Sequence, residues 1–190
     1  MSKNIRLIAT GFNVAPLVEQ IKRHPELWNE ITIRKDHPDS PHRQIDDIWV
    51  RHNDRKNYDP ANGRMAFVAD QHESVWYPSY RKLTEIRPLV FKLMALVEGE
   101  RLGGVFITRI PPGCECKPHI DGGWHVEHYD KYIIQLESSP KQAFHFDGES
   151  LVTKPGDVFF FDNRHTHWVT NDSEQDRMSL IVAIHSDRGG

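Results

Sequence analysis

The chain carries six His-x-Asp triplets: His37/Asp39, His52/Asp54, His119/Asp121, His128/Asp130, His145/Asp147 and His185/Asp187. Residues i and i+2 of a strand point to one face, so such a pair can grip a single metal ion. The triplet alone carries little weight, because 12 histidines and 15 aspartates in 190 residues produce roughly one by chance. Context has to separate them. Pro38 sits inside the first, in a run of turn formers. The second ends a polar strand beside Arg51, Arg55 and Lys56 and reads as surface. The fifth runs into Gly148 at a hairpin turn, and the sixth lies near the C-terminus, where fraying is expected. His128/Asp130 is a secondary candidate in the loop after 117-KPHID-121. His119/Asp121, within KPHID, follows a PPG turn, has Pro118 before its histidine and leads into Gly122-Gly123.

A metal site also needs a ligand from a distant strand. The stretch 154-KPGDVFFFDNRHTHWVTNDSEQDR-177 supplies His165 and His167, and Arg177 stands ten residues after the second. Two neutral imidazoles and one carboxylate on one face of iron(II) leave coordination positions open to reactants. A planar, permanently charged guanidinium suits a carboxylate, which it binds through two parallel hydrogen bonds.

The elements that must position these groups change in texture near residue 100. Before it, Val14, Leu17, Val18 and Ile21 follow a helical spacing that Pro25 ends. A second helix is expected over 79–98, with Leu83, Ile86, Leu93, Leu96 and Val97 apolar and Pro88 kinking or splitting it. Between them, 34–63 is a polar, turn-rich stretch around one short strand, IDDIWVRHN, and a loop of that length suggests function. After residue 100, LGGVFITRI, KYIIQLES, QAFHFDG, SLVTK, DVFFFD, HWVTN and RMSLIVAIHS alternate with turn signals. This reads as a mainly β protein: a double-stranded β-helix, or cupin-like jelly roll, with N-terminal helices packed on it. One domain spanning 1–190 is expected, with a helical and irregular part at 1–100 and a jelly-roll catalytic core at 101–190.

Composition excludes several classes. A net charge of −3 provides no drive toward nucleic acid or an anionic membrane. No apolar run approaches the roughly 18 residues a membrane span needs, and the opening MSKNIRLIATGF is too short an apolar run for a signal peptide. Two cysteines, Cys114 and Cys116, are too few for a disulfide framework and fit a reduced, cytoplasmic protein. With His119, His125 and His128 they could instead hold zinc, although structural zinc sites usually space two ligand pairs more widely.

"PPG…PHID", "KPGDVFFFDNRHTH" and "HWVTN…R" together resemble the iron(II)- and 2-oxoglutarate-dependent oxygenases, within them the aspartyl/asparaginyl β-hydroxylase-like group, over about 102–186. The resemblance implies a metal held by His119, Asp121 and His167. The spacing to Arg177 and the following WVTN favour His167 over His165. It implies that Arg177 binds the far carboxylate of 2-oxoglutarate, that the Thr108 hydroxyl assists, and that Lys131 is a further basic residue for the cosubstrate. The vertebrate-type members lack the triad carboxylate that Asp121 supplies here, and the first hundred residues carry no matching motif. The function implied is hydroxylation of an unactivated C–H bond in a peptide or small-molecule substrate, consuming dioxygen. An aspartyl or asparaginyl residue, or a small amino-acid-like molecule, fits the group. The competing reading is a metal-binding cupin that senses or binds a small ligand without 2-oxoglutarate chemistry. Trp49, Trp76, Trp124 and Trp168 are candidates to wall a substrate pocket, Trp124 foremost, and Arg43 and Arg51 to meet an anionic group.

Overall fold

The computed structural model describes residues 4–36, 39–59, 61, 67–68 and 70–187. The first triplet's His37 lies outside them. Eleven strands are described: β1 Ile5–Ala9, β2 Asp46–Asn53, β3 Ser74–Trp76, β4 Arg101–Ile110, β5 Glu115–His119, β6 Asp130–Glu137, β7 Gln142–Phe146, β8 Glu149–Leu151, β9 Val158–Phe161, β10 His167–Asn171 and β11 Arg177–His185. Among the described residues the helices include α1 Ala15–Arg23, α2 Ser79–Lys82, α3 Ile86–Leu96 and α4 Trp124–His128. None is long and apolar enough to cross a membrane.

The strands form two antiparallel sheets. One has seven strands in the order β1-β9-β6-β11-β4-β2-β3, the other four in the order β5-β10-β7-β8. Inward side chains of the two sheets meet in one apolar cluster. Ile5, Ile110, Ile133, Phe159 and Phe161 face Cys116, Phe144, Phe146 and Val169 across it. This is the jelly roll expected from the strand pattern. The central strand β11 is buried along most of its length, which its near-continuous apolar run MSLIVAI requires.

The outer face of the larger sheet is covered by helices. Leu17, Val18 and Ile21 of α1 and Ile86, Leu89, Val90 and Leu93 of α3 pack on Ile48, Val105, Ile107, Leu180 and Val182. Two sequence expectations change here. The helix expected over 79–98 breaks at Leu83, whose φ of −107° and ψ of 59° leave the helical region. Pro88 does not cause the break. It sits in the first turn of α3, where its missing N–H is not needed. The N-terminal part also gives the larger sheet one strand that was not expected, β1, paired with β9, whereas the expected strand IDDIWVRHN is β2, paired with β4.

Candidate metal and cosubstrate site

His119 ends β5 and His167 begins β10, and the two are direct cross-strand partners. β5 is an edge strand of the smaller sheet, where Pro118 can stand without removing a needed ladder bond. Asp121 follows two residues later, its backbone N–H donating to the Asn163 carbonyl at 3.1 Å. The ligand atoms of His119, Asp121 and His167 all lie within 4.8 Å of one another. His165 is elsewhere: its side chain is 60% exposed and points to Asp162 at 3.7 Å.

Both ring orientations are set by the backbone. His119 Nδ1 lies 2.7 Å from the Lys117 carbonyl and His167 Nδ1 lies 2.9 Å from the His165 carbonyl. A carbonyl only accepts, so each Nδ1 carries a proton and each Nε2 is the nitrogen left to meet a metal ion. Asp121 is divided between its two oxygens. Oδ2 accepts from Lys131 Nζ at 2.6 Å and from Asn163 Nδ2 at 2.8 Å, while Oδ1 faces His119 Nε2 at 3.4 Å.

Burial alone would raise the Asp121 carboxyl, but the Lys131 ammonium and the two imidazoles hold it well below its usual range, so it is an anion. Burial pulls His167 down to about 4, against the pull of Asp121. His119 is also lowered by burial, but hydrogen bonds to Asp121 and Cys116 outweigh this and lift it to about 10. In the metal-free protein the proton therefore rests on His119, and a cation bound there would displace it.

A narrow slot between the sheets leads from these residues to Thr108, Arg177 and Ser179 on the larger sheet. Arg177 is 2% exposed. Its Nη1 donates to Ser179 Oγ at 2.8 Å, but Nε and Nη2 have no partner among the described residues. Burial pushes the guanidinium down to about 10, so it remains a cation at neutral pH without a carboxylate beside it. Thr108 is buried and pairs in register with Ser179. Lys131 also borders the slot, yet its ammonium is committed to Asp121, which makes it a partner of the carboxylate.

On the other side of the same residues opens a larger cavity of about 310 Å³. Its walls include Arg34, His42, Trp49, His52, Phe106 and His125. Sequence reasoning missed His42, whose ring meets His119 edge-on at 4.9 Å, and Asn163, because neither lies at ligand spacing from the triplet. The surface reading of His52 is overturned, since it is 2% exposed. A bulge between Trp49 and Arg51 shifts the register of β2 and brings Trp49 and His52 together, with ring centroids 5.3 Å apart.

Other candidates fall away from the cavity. Trp124 stacks on His128, Trp168 on His145 and Trp76 on Tyr80. Arg51 lies over Trp76, and Arg43 is exposed. His185 is held in β11 with its ring stacked on His128 at 4.2 Å, so the expected fraying is not seen there. The five residues considered for zinc do not converge. Cys116 and His119 group with His42, and His125 groups with His52 and His72.

A jelly roll with two histidines, a carboxylate and a buried arginine across one slot is the architecture of the 2-oxoglutarate oxygenase class. The family described as aspartyl/asparaginyl beta-hydroxylase matches residues 42–186, and the chain belongs to that family. No curated protein matches it by sequence. Among solved structures, it is similar to a prolyl hydroxylase from Trichoplax adhaerens in complex with a hypoxia inducible factor peptide fragment. The TM-score is 0.58 at 10% identity, covering 97% of this chain and 83% of that one. It is also similar to the viral collagen prolyl hydroxylase of Paramecium Bursaria Chlorella virus-1, with a TM-score of 0.57 at 9% identity and 97% of each chain covered. An oxidoreductase of the 2OG-Fe(II) oxygenase family from Burkholderia pseudomallei gives a TM-score of 0.54 at 12% identity, covering 93% of this chain and 92% of that one. At these identities the likeness is one of fold.

Proposed function

We propose that this protein is an iron(II)- and 2-oxoglutarate-dependent dioxygenase that hydroxylates an unactivated C–H bond. The observation that carries the reading is the buried guanidinium of Arg177. Its two unpartnered nitrogens lie across one slot from three potential metal ligands. A buried cation without a counter-ion is costly, and the carboxylate of a bound cosubstrate removes that cost. A metal-binding cupin whose ligand carries no carboxylate would leave this group unpartnered.

His119, Asp121 and His167 would hold the iron through Nε2, Oδ1 and Nε2. When bound there, iron(II) with 2-oxoglutarate supplies the dioxygen-activating chemistry, whose products are succinate, carbon dioxide and a hydroxylated substrate. The chain's own residues do the positioning. Lys131 and Asn163 restrain Asp121 Oδ2, which would leave Oδ1 to meet the ion. Arg177 fixes the far carboxylate of 2-oxoglutarate, with the Thr108 and Ser179 hydroxyls beside it in the slot. Phe144 and Phe161, which pack around His167, keep water from that end of the slot.

The substrate would occupy the larger cavity. There Trp49 Nε1 is a buried donor without a partner among the described residues, and Arg34, ion-paired with Asp47 at 3.4 Å, borders the same space. Those groups suit the carboxylate or amide of an aspartyl or asparaginyl residue, or of a small amino-acid-like molecule. The test is succinate formation from 2-oxoglutarate by protein supplied with iron(II) and ascorbate. His119→Ala and Asp121→Ala abolish it on this reading, and full activity in both variants overturns the ligand assignment.

A further inference from the structure

Three other histidines meet at the far wall of the larger cavity. His52 comes from β2, His72 from the segment before β3, and His125 from α4. All are buried, at 2%, 9% and 7% exposure. Each brings a ring nitrogen to within 4.8 Å of the other two. The ring centroids are 4.6 Å apart for His52 and His72, 5.3 Å for His52 and His125, and 5.5 Å for His72 and His125. Imidazoles that share one tetrahedral ion, with bonds of about 2.0–2.1 Å, hold their rings roughly 5 Å apart.

The ring nitrogens are also unsatisfied. His52 Nδ1, His72 Nε2 and His125 Nε2 have no hydrogen-bond partner among the described residues. One orphaned buried nitrogen is a modest cost, but three in a single cluster call for a shared partner. His72 is already set for that role. Its Nδ1 donates to the Asp70 carbonyl at 2.8 Å, which leaves the Nε2 lone pair free. Burial holds all three rings below the ordinary imidazole value, His125 at about 3, so they are in the neutral form that binds metal. Gly104 on β4 makes the room. A Cβ there would stand 3.2 Å from His52 Cδ2 and 3.5 Å from His125 Cε1.

We infer that His52, His72 and His125 form a second metal site, for a zinc-class ion, with its fourth position open to the cavity shared with His119 and Asp121. An all-imidazole donor set selects zinc, cobalt or copper over magnesium or calcium. His52 and His125 line the cavity while His72 closes the cluster from behind, so the free position faces the substrate space. Three protein ligands with one exchangeable position hold a water or an anionic donor. A carboxylate of the substrate is the class of group that fits. The inference uses none of the proposed iron ligands.

The test is titration of chelator-stripped, full-length protein with Co²⁺ alone. Wild type should bind two equivalents. The His119→Ala/His167→Ala protein should keep one, with the strong visible absorption of a tetrahedral site. Adding His72→Ala should weaken that remaining binding at least about 100-fold, since loss of a ligand costs more than loss of its outer-shell partner. No retained equivalent in the double variant, or binding unaffected by His72→Ala, overturns the inference. Should the triple variant not fold, crystals of wild type soaked in Zn²⁺ decide. An anomalous peak among the three rings supports the site, and its absence at a saturating concentration overturns it.

Discussion

His167 and His119 are cross-strand partners on β10 and β5, with ring centroids 4.3 Å apart. One belongs to the KPHID stretch and the other lies 48 residues later. Antiparallel pairing with a one-residue shift between His167 and Val169 puts them side by side, and the backbone carbonyls of Lys117 and His165 each anchor one ring through its Nδ1. The site is therefore built into strand pairing.

Arg177→Met should raise the KM for 2-oxoglutarate by about 10-fold to 100-fold, the cost of leaving a carboxylate's hydrogen bonds unmade in a buried slot. Arg177→Lys should restore only part of this, because an ammonium cannot make the paired contact. The melting temperature of the 2-oxoglutarate-free protein should not fall in Arg177→Met, since the two unpartnered nitrogens of the buried guanidinium are a burden until the ligand arrives. Succinate assays across 2-oxoglutarate concentrations and a thermal melt read both effects.

Asn163→Ala removes the side-chain donor to Asp121 Oδ2 but leaves the backbone bond from Asp121 to residue 163 intact. Divalent metal affinity should drop about 10-fold to 100-fold, as for other outer-shell partners, with little change in the circular dichroism spectrum. Unchanged affinity would show that Asp121 is not oriented by this contact.

Adjacent aspartates on β2 should respond to pH in opposite ways. Burial would raise Asp46, but hydrogen bonds from Asn29, Arg109 and Lys35 outweigh it and lower the carboxyl. Burial raises Asp47 despite Arg34 and Lys35. A lowered native value stabilises the fold above the unfolded value of about 3.9 and is lost as pH falls. A raised native value does the reverse, disfavouring the fold as pH rises past 3.9 toward the native value. At pH 7, Asp46→Asn should cost about 1–3 kcal/mol, whereas Asp47→Asn should be neutral or stabilising. Both differences should shrink by pH 3 in urea denaturation curves, where the carboxyls are largely protonated in the unfolded chain.

Gly156, in the KPGD turn, has φ of +87° and donates to the Gln135 carbonyl while accepting from Phe12 N–H. A Cβ there would lie 2.6 Å from the Phe12 carbonyl oxygen. Gly156→Ala should destabilise the protein by more than the roughly 1–2 kcal/mol of left-handed strain alone, because backbone must also move. Chemical denaturation of the variant checks this, and a loss under 1 kcal/mol would contradict the close approach.

Much of the fold was legible because its cause is local. Alternating apolar residues and turn formers after residue 100 specify strands whatever they pair with, and β4, β6, β7, β9, β10 and β11 fall where the pattern puts them. β1 was not legible, since five residues without a flanking hairpin become a strand only when β9 offers an edge. The break at Leu83 was hidden for a similar reason: Pro88 looked like the breaker, yet a proline in a first turn breaks nothing.

By itself, the sequence determined the strand texture, the KPGD turn and the short-range geometry of KPHID, all of which depend on residues within a few positions of each other. It also carried His167 and Arg177 at a family's spacing. Only the tertiary structure decided what meets what. Strand register set His119 against His167, a bulge in β2 turned His52 inward, and three histidines from separate elements were gathered around one point. Such meetings depend on long-range pairing and burial, which no local pattern encodes.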